Sequence, residues 1–511
     1  MSEDPKNSSG RGAPLDMPPE EFRAAGHALV DRIAEFMATL SARPVAPNLE
    51  PPQVRERLGG AGLPEVGRPA GPLLEEAAEL LFATSVLPGH PRFLGYIVGS
   101  GAPIGALADL LAAAVNQNVG AWHLAPMATA LEGQTVQWIA ELVGFPTPCG
   151  GLLTSGGNAA NFVGFLAARR AMAPWPLRSA GMAAAGAPPL TLYTSGETHT
   201  WVQKAADLFG LGTDAIRWVA ADAGQRMDTA DLERQIGEDR AAGRHPFLVV
   251  GSAGTVSTGA VDPLPRIAEI CRRERLWFHV DAAYGGFAAR LPGAPADFAG
   301  LALADSVAVD PHKWLYAPLE AGCALVRSSG KLLDAFEFRP PYYRGPEESE
   351  EFPDYHSYGM QNSRGFRALK VWLALRLAGR DGYRRMIGDD MALAKRLFEA
   401  ARRHPELEAV TLGLSITTFR FIPPDLAAAR TEADEEYLDR LNAALLERLQ
   451  HEGEVYLSNA VVRGRYLLRS CVVNFRTSER DIDAIPEIVA RSARALDRQM
   501  RPGENGPARK S

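Results

Sequence analysis

The stretch DPLPRIAEICRRERLWFHVDAAYGG, Asp262 to Gly286, decides how this chain folds. Asp262 stands where an N-cap belongs, and Pro263 suits the first helical position, where its missing N–H costs no hydrogen bond. The helix leads into LWFHV, Leu276–Val280, an apolar run of strand length that ends on Asp281. Similar runs occur at Leu190–Tyr193, Phe247–Val250 and Val307–Val309. Strands joined through helices in this way are βαβ crossovers. From about Phe93 to Val326 they predict a mostly parallel sheet wrapped by helices, an α/β fold.

Composition narrows the function. A chain of 511 residues can bury a large core and divide into more than one domain, and its formal charge of −7 provides no basic stripe for a nucleic-acid backbone. Cys149, Cys271, Cys323 and Cys471 are scattered, without the spacing of a disulfide framework or a metal site. The N-terminus has no apolar leader core, and the most apolar run, APIGALADLLAAAV, is broken by Asp109 and too short to span a bilayer. The expectation is a cytoplasmic protein with small-molecule chemistry, no metal, no nucleic-acid partner and no membrane partner.

Further signals lie outside the sheet. Phe22, Leu29, Ile33, Phe36, Met37 and Leu40 recur at helical spacing, so an N-terminal amphipathic helix must bury its stripe against the body or a second subunit. A Pro/Gly-rich stretch, Arg43 to Pro72, follows it. Gly330 to Asn362 is charged, aromatic and proline-containing, and reads as a mobile functional loop. A long helix is expected from about Arg364, then a smaller α+β domain holding EVYLSNAV and RYLLRSCVVNF as strands.

In an open parallel sheet, ligands collect beyond the carboxyl ends of the strands. Thr154, Ser155, Gly156, Gly157 and Asn158 stand directly before a helix, where bare N–H groups and the helix dipole make an anion cup. Asp281 ends an apolar strand and needs a cation or a strong donor; Ala282 and Ala283 beside it leave room for a flat ring. Lys313, in VAVDPHKWLYAP, would by default be a solvated lysine, but between His312 and Trp314 it suits an amine nucleophile that forms a Schiff base. His199, in YTSGETHTWVQKA, could stack on a planar ring or satisfy a local carbonyl. Phosphate cup, stacking imidazole, pyridinium-partner carboxylate and Schiff-base lysine, in that order, together describe a pyridoxal phosphate site.

These segments also resemble a known family. HPRFLGYIVG, GAWHLAPMATALE, GLLTSGGNAAN, HVDAAYGG, DPHKW and RGFRALKVW are similar to the group II pyridoxal-phosphate-dependent decarboxylases, which act on aromatic L-amino acids, histidine, glutamate and cysteine sulfinate. The likeness runs from about Pro19 to Arg498. It implies a type I aminotransferase-like fold and a homodimer with interfacial active sites, whose N-terminal segment wraps the partner. The expected divisions are a tail at 1–18, an N-terminal helical segment at 19–92, a large cofactor-binding domain at 93–380, a small C-terminal domain at 381–500 and a tail at 501–511. Carried over by residue, the resemblance puts the Schiff-base lysine at Lys313, the pyridine-nitrogen carboxylate at Asp281 and the ring-stacking imidazole at His199. It puts cofactor contacts at Gly156, Gly157, Asn158, Ala283 and His312. Asp310 stands where aromatic-decarboxylase relatives carry Asn, and a carboxylate near a phosphate must be paired elsewhere.

The resemblance further implies that a loop tyrosine returns the proton to Cα. Tyr342 and Tyr343 are the two candidates, and two tyrosines rather than phenylalanine favour simple decarboxylation over aldehyde formation. Gly120 replaces a phenylalanine found in aromatic-acid relatives, Trp122 is retained, and Ser363 matches phenol-preferring plant relatives. The reading favours aromatic substrates of the tyrosine, dopa, phenylalanine or tryptophan type. Glutamate, aspartate, cysteine sulfinate and 2,4-diaminobutyrate stay open, as does an aldehyde synthase. An aminotransferase would use an arginine such as Arg465 or Arg469 to hold the substrate carboxylate.

Overall fold

The computed structural model describes residues 13–60, 62–338, 353–428 and 430–501. Its first sheet contains β1 (Gly150–Thr154), β2 (Leu190–Ser195), β3 (Ile216–Val219), β4 (His245–Ser252), β5 (Trp277–Asp281), β6 (Ser306–Val309) and β7 (Gly322–Val326). Their spatial order is β1-β7-β6-β5-β4-β2-β3. The strands from β6 to β3 run parallel, whereas β7 is antiparallel to both its neighbours. The turn that carries Lys313 reverses the chain from β6 directly into β7, so no crossover helix is needed there.

Helices cover both faces, which makes the central strands apolar throughout. On β5, Phe278 and Val280 join the layer containing Ile267 and Ile270, while Trp277 joins the layer of Val163 and Phe165. His279 points to the second layer, where Gly164 permits close packing: a Cβ there would meet the imidazole at 2.6 Å.

Asp262 does not cap the crossover helix, which spans Leu264–Glu274 with Pro263 as its N-cap. The Asp262 carboxylate turns inward and accepts the backbone N–H of Met227 and of Ser252, both at 2.7 Å. Two buried amides outcompete a helix end that can reach water.

The N-terminal region forms α1 (Pro19–Thr39), α2 (Pro51–Leu58) and α3 (Ala70–Thr84), so the Pro/Gly-rich stretch contains a helix. Phe36 stacks on Phe82 of α3 with ring centroids 4.3 Å apart, yet no residue of α1 is buried. Next comes α4 (Pro103–Val115), tied to the long helix Ala368–Arg403 through Lys370 and Asp109 at 2.9 Å. Leu107, Leu110, Leu111 and Val115 of α4 remain exposed. Part of the expected mobile loop is helical, Ser329–Phe336, while Tyr342 and Tyr343 lie outside the described residues.

The second sheet is antiparallel, in the order β10-β11-β9-β8. It comprises β8 (Leu407–Gly413), β9 (Ile416–Phe421), β10 (Ser458–Val462) and β11 (Arg465–Cys471). Leu441 and Leu445 of one helix and Ile485 and Val489 of another close its core, and both helices open on capping boxes, Thr431 with Asp434 and Ser478 with Asp481.

Candidate active site

A cavity of about 280 Å³ opens at the carboxyl ends of the parallel strands. Gly156, Gly157, Asn158, His199, Asp281, Ala283 and Lys313 all line it, together with Ile97, Asn161, Val256 and Asp310, which local sequence signals did not mark as ligand contacts. The lysine and the strand-end carboxylate therefore face one space. His312 packs behind the glycine turn instead: its Cε1 would meet a Cβ on Gly156 at 3.1 Å, and its Nδ1 accepts the Ala321 N–H at 3.1 Å. Burial lowers its pKa and favours the neutral ring.

Asp281 is held by two donors. The indole Nε1–H of Trp201 reaches Oδ2 at 2.8 Å, and the backbone N–H of Ala283 reaches Oδ1 at 3.1 Å. His199 Nδ1 accepts the Trp201 backbone N–H at 3.2 Å, which places its proton on Nε2, and burial lowers its pKa.

Asp310 is buried beside the anion cup, and Lys313 Nζ lies 3.1 Å from its Oδ2, with His312 Nε2 at 3.6 Å. The repulsion expected between this carboxylate and a phosphate is thus offset by two cationic or donor groups. The other oxygen, Oδ1, is buried without a partner. Asp310 also fixes the identity of Gly157, since a Cβ there would meet Oδ2 at 2.7 Å.

Behind Lys313, the carboxylate of Asp390 accepts Trp314 Nε1–H at 2.8 Å and Tyr316 O–H at 2.7 Å. Burial pushes Asp390 up from 3.8 to about 7. The folded chain then keeps a proton that the unfolded chain has released, so this contribution to stability is complete below about pH 4 and lost as pH rises towards about 7. Asp390→Asn should remove that slope. In melts at stepped pH, the natural chain should lose about 1–4 kcal/mol relative to the variant across the interval.

The description "Pyridoxal-dependent decarboxylase conserved domain" matches residues 52–421. The chain belongs to the pyridoxal-dependent decarboxylase family. The decarboxylase is 32% identical over 470 residues to aromatic-L-amino-acid decarboxylase of Bacillus atrophaeus, covering 92% of this chain and 94% of that one. It is 31% identical over 467 residues to phenylacetaldehyde synthase of Petunia hybrida, covering 89% and 90%. The crystal structure of Oryza sativa TDC with PLP and tryptamine superposes with a TM-score of 0.87 at 29% identity, covering 95% of this chain and 99% of that one.

The residues of this decarboxylase fit its cofactor, pyridoxal phosphate. At one edge of the cavity, the first amides of the helix Gly157–Met172 lack helical acceptors and suit the phosphate. An amine, an imidazole and a carboxylate line the remainder, as an aldehyde, a ring face and a ring nitrogen require. Gly157→Ala should drive Cβ into Asp310 and weaken cofactor affinity about tenfold or more, measured by equilibrium dialysis; unchanged affinity would remove Gly157 from the cup.

Proposed function

We propose that this decarboxylase converts an aromatic L-amino acid to its amine and carbon dioxide. The observation that carries the reading is the shared cavity in which Lys313 and Asp281 meet beside the glycine turn. Bound pyridoxal phosphate supplies an electron sink for the pair left at Cα when carbon dioxide departs. Lys313 would tether the cofactor through its amine and would yield that place to the substrate amine. Asp281, oriented by hydrogen bonds from Trp201 and Ala283, would hold the proton on the pyridine nitrogen. His199, its pKa lowered by burial, would pack on the ring face in its neutral form. Gly156, Gly157 and Asn158 bind the phosphate, Ala283 leaves room for the ring, and His312 supports the turn from behind. Tyr342 or Tyr343 returns the proton to Cα.

The relatives named for aromatic L-amino acids and for phenylacetaldehyde support the aromatic class. Gly120 does not leave a vacancy where a phenylalanine is missing, because a Cβ there would run into the Asn362 carbonyl. Small size at this position serves the joint between segments 118–122 and 354–364, where the Trp122 N–H donates to Asp354 and the His356 N–H to the Gly120 carbonyl. Arg465 is engaged by Glu408 at 3.4 Å. Arg469 is buried and donates to the carbonyl of the cavity residue Val256, but does not itself line the cavity.

The same proposal includes a homodimer. Trp122 does not line its own chain's cavity, and the apolar side chains of α1, α3 and α4, among them Phe22, Leu73, Leu81 and Leu110, stay exposed. A second copy covers them and brings Trp122 to the neighbouring site. Sedimentation of the loaded protein should give twice the chain mass, and a monomer at full activity would refute this. Four free cysteines suit a reducing cytoplasm.

The functional test is a panel of phenylalanine, tyrosine, dopa, tryptophan, glutamate, aspartate, cysteine sulfinate and 2,4-diaminobutyrate, scored for carbon dioxide and amine. Aromatic amines in step with carbon dioxide are expected. Hydrogen peroxide and ammonia in step with carbon dioxide would replace the proposal by aldehyde synthesis, and a 2-oxo acid with pyridoxamine phosphate would replace it by amino transfer.

A further inference from the structure

Trp201 is fully buried, does not line the cavity, and touches both groups that would meet the cofactor ring. Its indole N–H donates to Asp281 Oδ2 at 2.8 Å, and its backbone N–H donates to His199 Nδ1 at 3.2 Å. The indole itself has little freedom. It stands edge-on to the His279 ring, with centroids 5.7 Å apart and an interplanar angle of 80°. That imidazole is pinned in turn by Ser306 Oγ and Asn161 Oδ1, each at 2.7 Å, and burial pushes its pKa down to about 4, so it stays neutral.

We infer that Trp201 is the positioning residue that aims Asp281 at the pyridine nitrogen while fixing the tautomer and orientation of His199. The inference rests on the proposed role of Asp281. A carboxylate has several lone-pair directions, and an undirected one could rotate away from the ring nitrogen. Donors on both oxygens, one from Trp201 and one from Ala283, lock the plane and leave a single face for a third donor. The two contacts are separable, because Trp201→Phe deletes the indole N–H and keeps the backbone N–H. Replacing Trp201 with 3-benzothienylalanine deletes the same N–H with almost no change of shape.

The test measures affinity of the apo-protein for pyridoxal phosphate and for its 1-deaza analogue, which lacks the ring nitrogen. Trp201→Phe and the benzothienylalanine variant should each bind pyridoxal phosphate about tenfold more weakly and the analogue as the natural chain does, the size expected for a lost hydrogen bond to a charge. In the loaded enzyme, kcat should fall with KM held within about threefold. Equal weakening of both ligands in the benzothienylalanine variant, or no weakening of either, overturns the inference. Asp281→Asn separates the two readings. If it abolishes the preference for the nitrogen-bearing ligand while the Trp201 variants retain it, only Trp201 fails; if it leaves the preference intact, the role of Asp281 itself fails.

Discussion

Lys313→Ala protein is expected to release no carbon dioxide above background, with turnover down by about a thousandfold or more, equivalent to about 4 kcal/mol of lost barrier reduction. The amine is the group in the cavity suited to tether an aldehyde and to exchange with a substrate amine. Its removal also has a structural cost, because Asp310 is 1% exposed and loses a cation 3.1 Å away. The variant should therefore melt below the natural chain, and Asp310→Asn added to Lys313→Ala should recover part of that loss without recovering activity. Thermal melts beside the carbon dioxide assay separate the two effects. Turnover within tenfold of the natural chain would end the assignment of Lys313.

The second large effect is on stability. Arg364 and Glu132 form an ion pair with side chains 1% and 0% exposed. The guanidinium also donates to the carbonyls of Val119 at 2.9 Å and Leu153 at 2.7 Å, and lies 4.7 Å from the centre of the Tyr355 ring. Glu132 accepts the Leu153 N–H at 2.8 Å. One pair thus bolts β1, which leads into the glycine turn, to the segment holding Gly120 and Trp122. Arg364→Met leaves a buried carboxylate uncompensated and should cost about 3–5 kcal/mol, read as an early loss of the first denaturant transition. Glu132→Leu combined with Arg364→Met should cost less than the two single changes summed, since no lone charge remains. Additive costs would mean that the pair is not coupled.

That several of the proposed site residues share one cavity was legible because their signals are local. Lys313, Asp281, His199 and the Gly156–Gly157–Asn158 turn are each a reactive or permissive residue near the end of an apolar run, a place that predicts exposure to a ligand without any knowledge of packing. Strand positions followed for the same reason: Leu190–Tyr193 and Phe247–Val250 fall inside β2 and β4, because continuous apolar runs of that length suit a sheet covered on both faces. Gly330–Asn362 was read too simply as loop, since Ser329–Phe336 buries Leu332 and gains a helix from tertiary contact.

Chain order and residue type were enough to name the cofactor and the α/β class, since both depend on neighbours a few positions apart. Folding in three dimensions had to choose which distant groups became partners. Trp201 meets Asp281 across 80 positions and Arg364 meets Glu132 across 232. Asp262 abandons the adjacent helix for amides on Met227 and Ser252. A buried polar group must find a partner, and the one within reach is set by how whole layers pack, which no short window of residues contains.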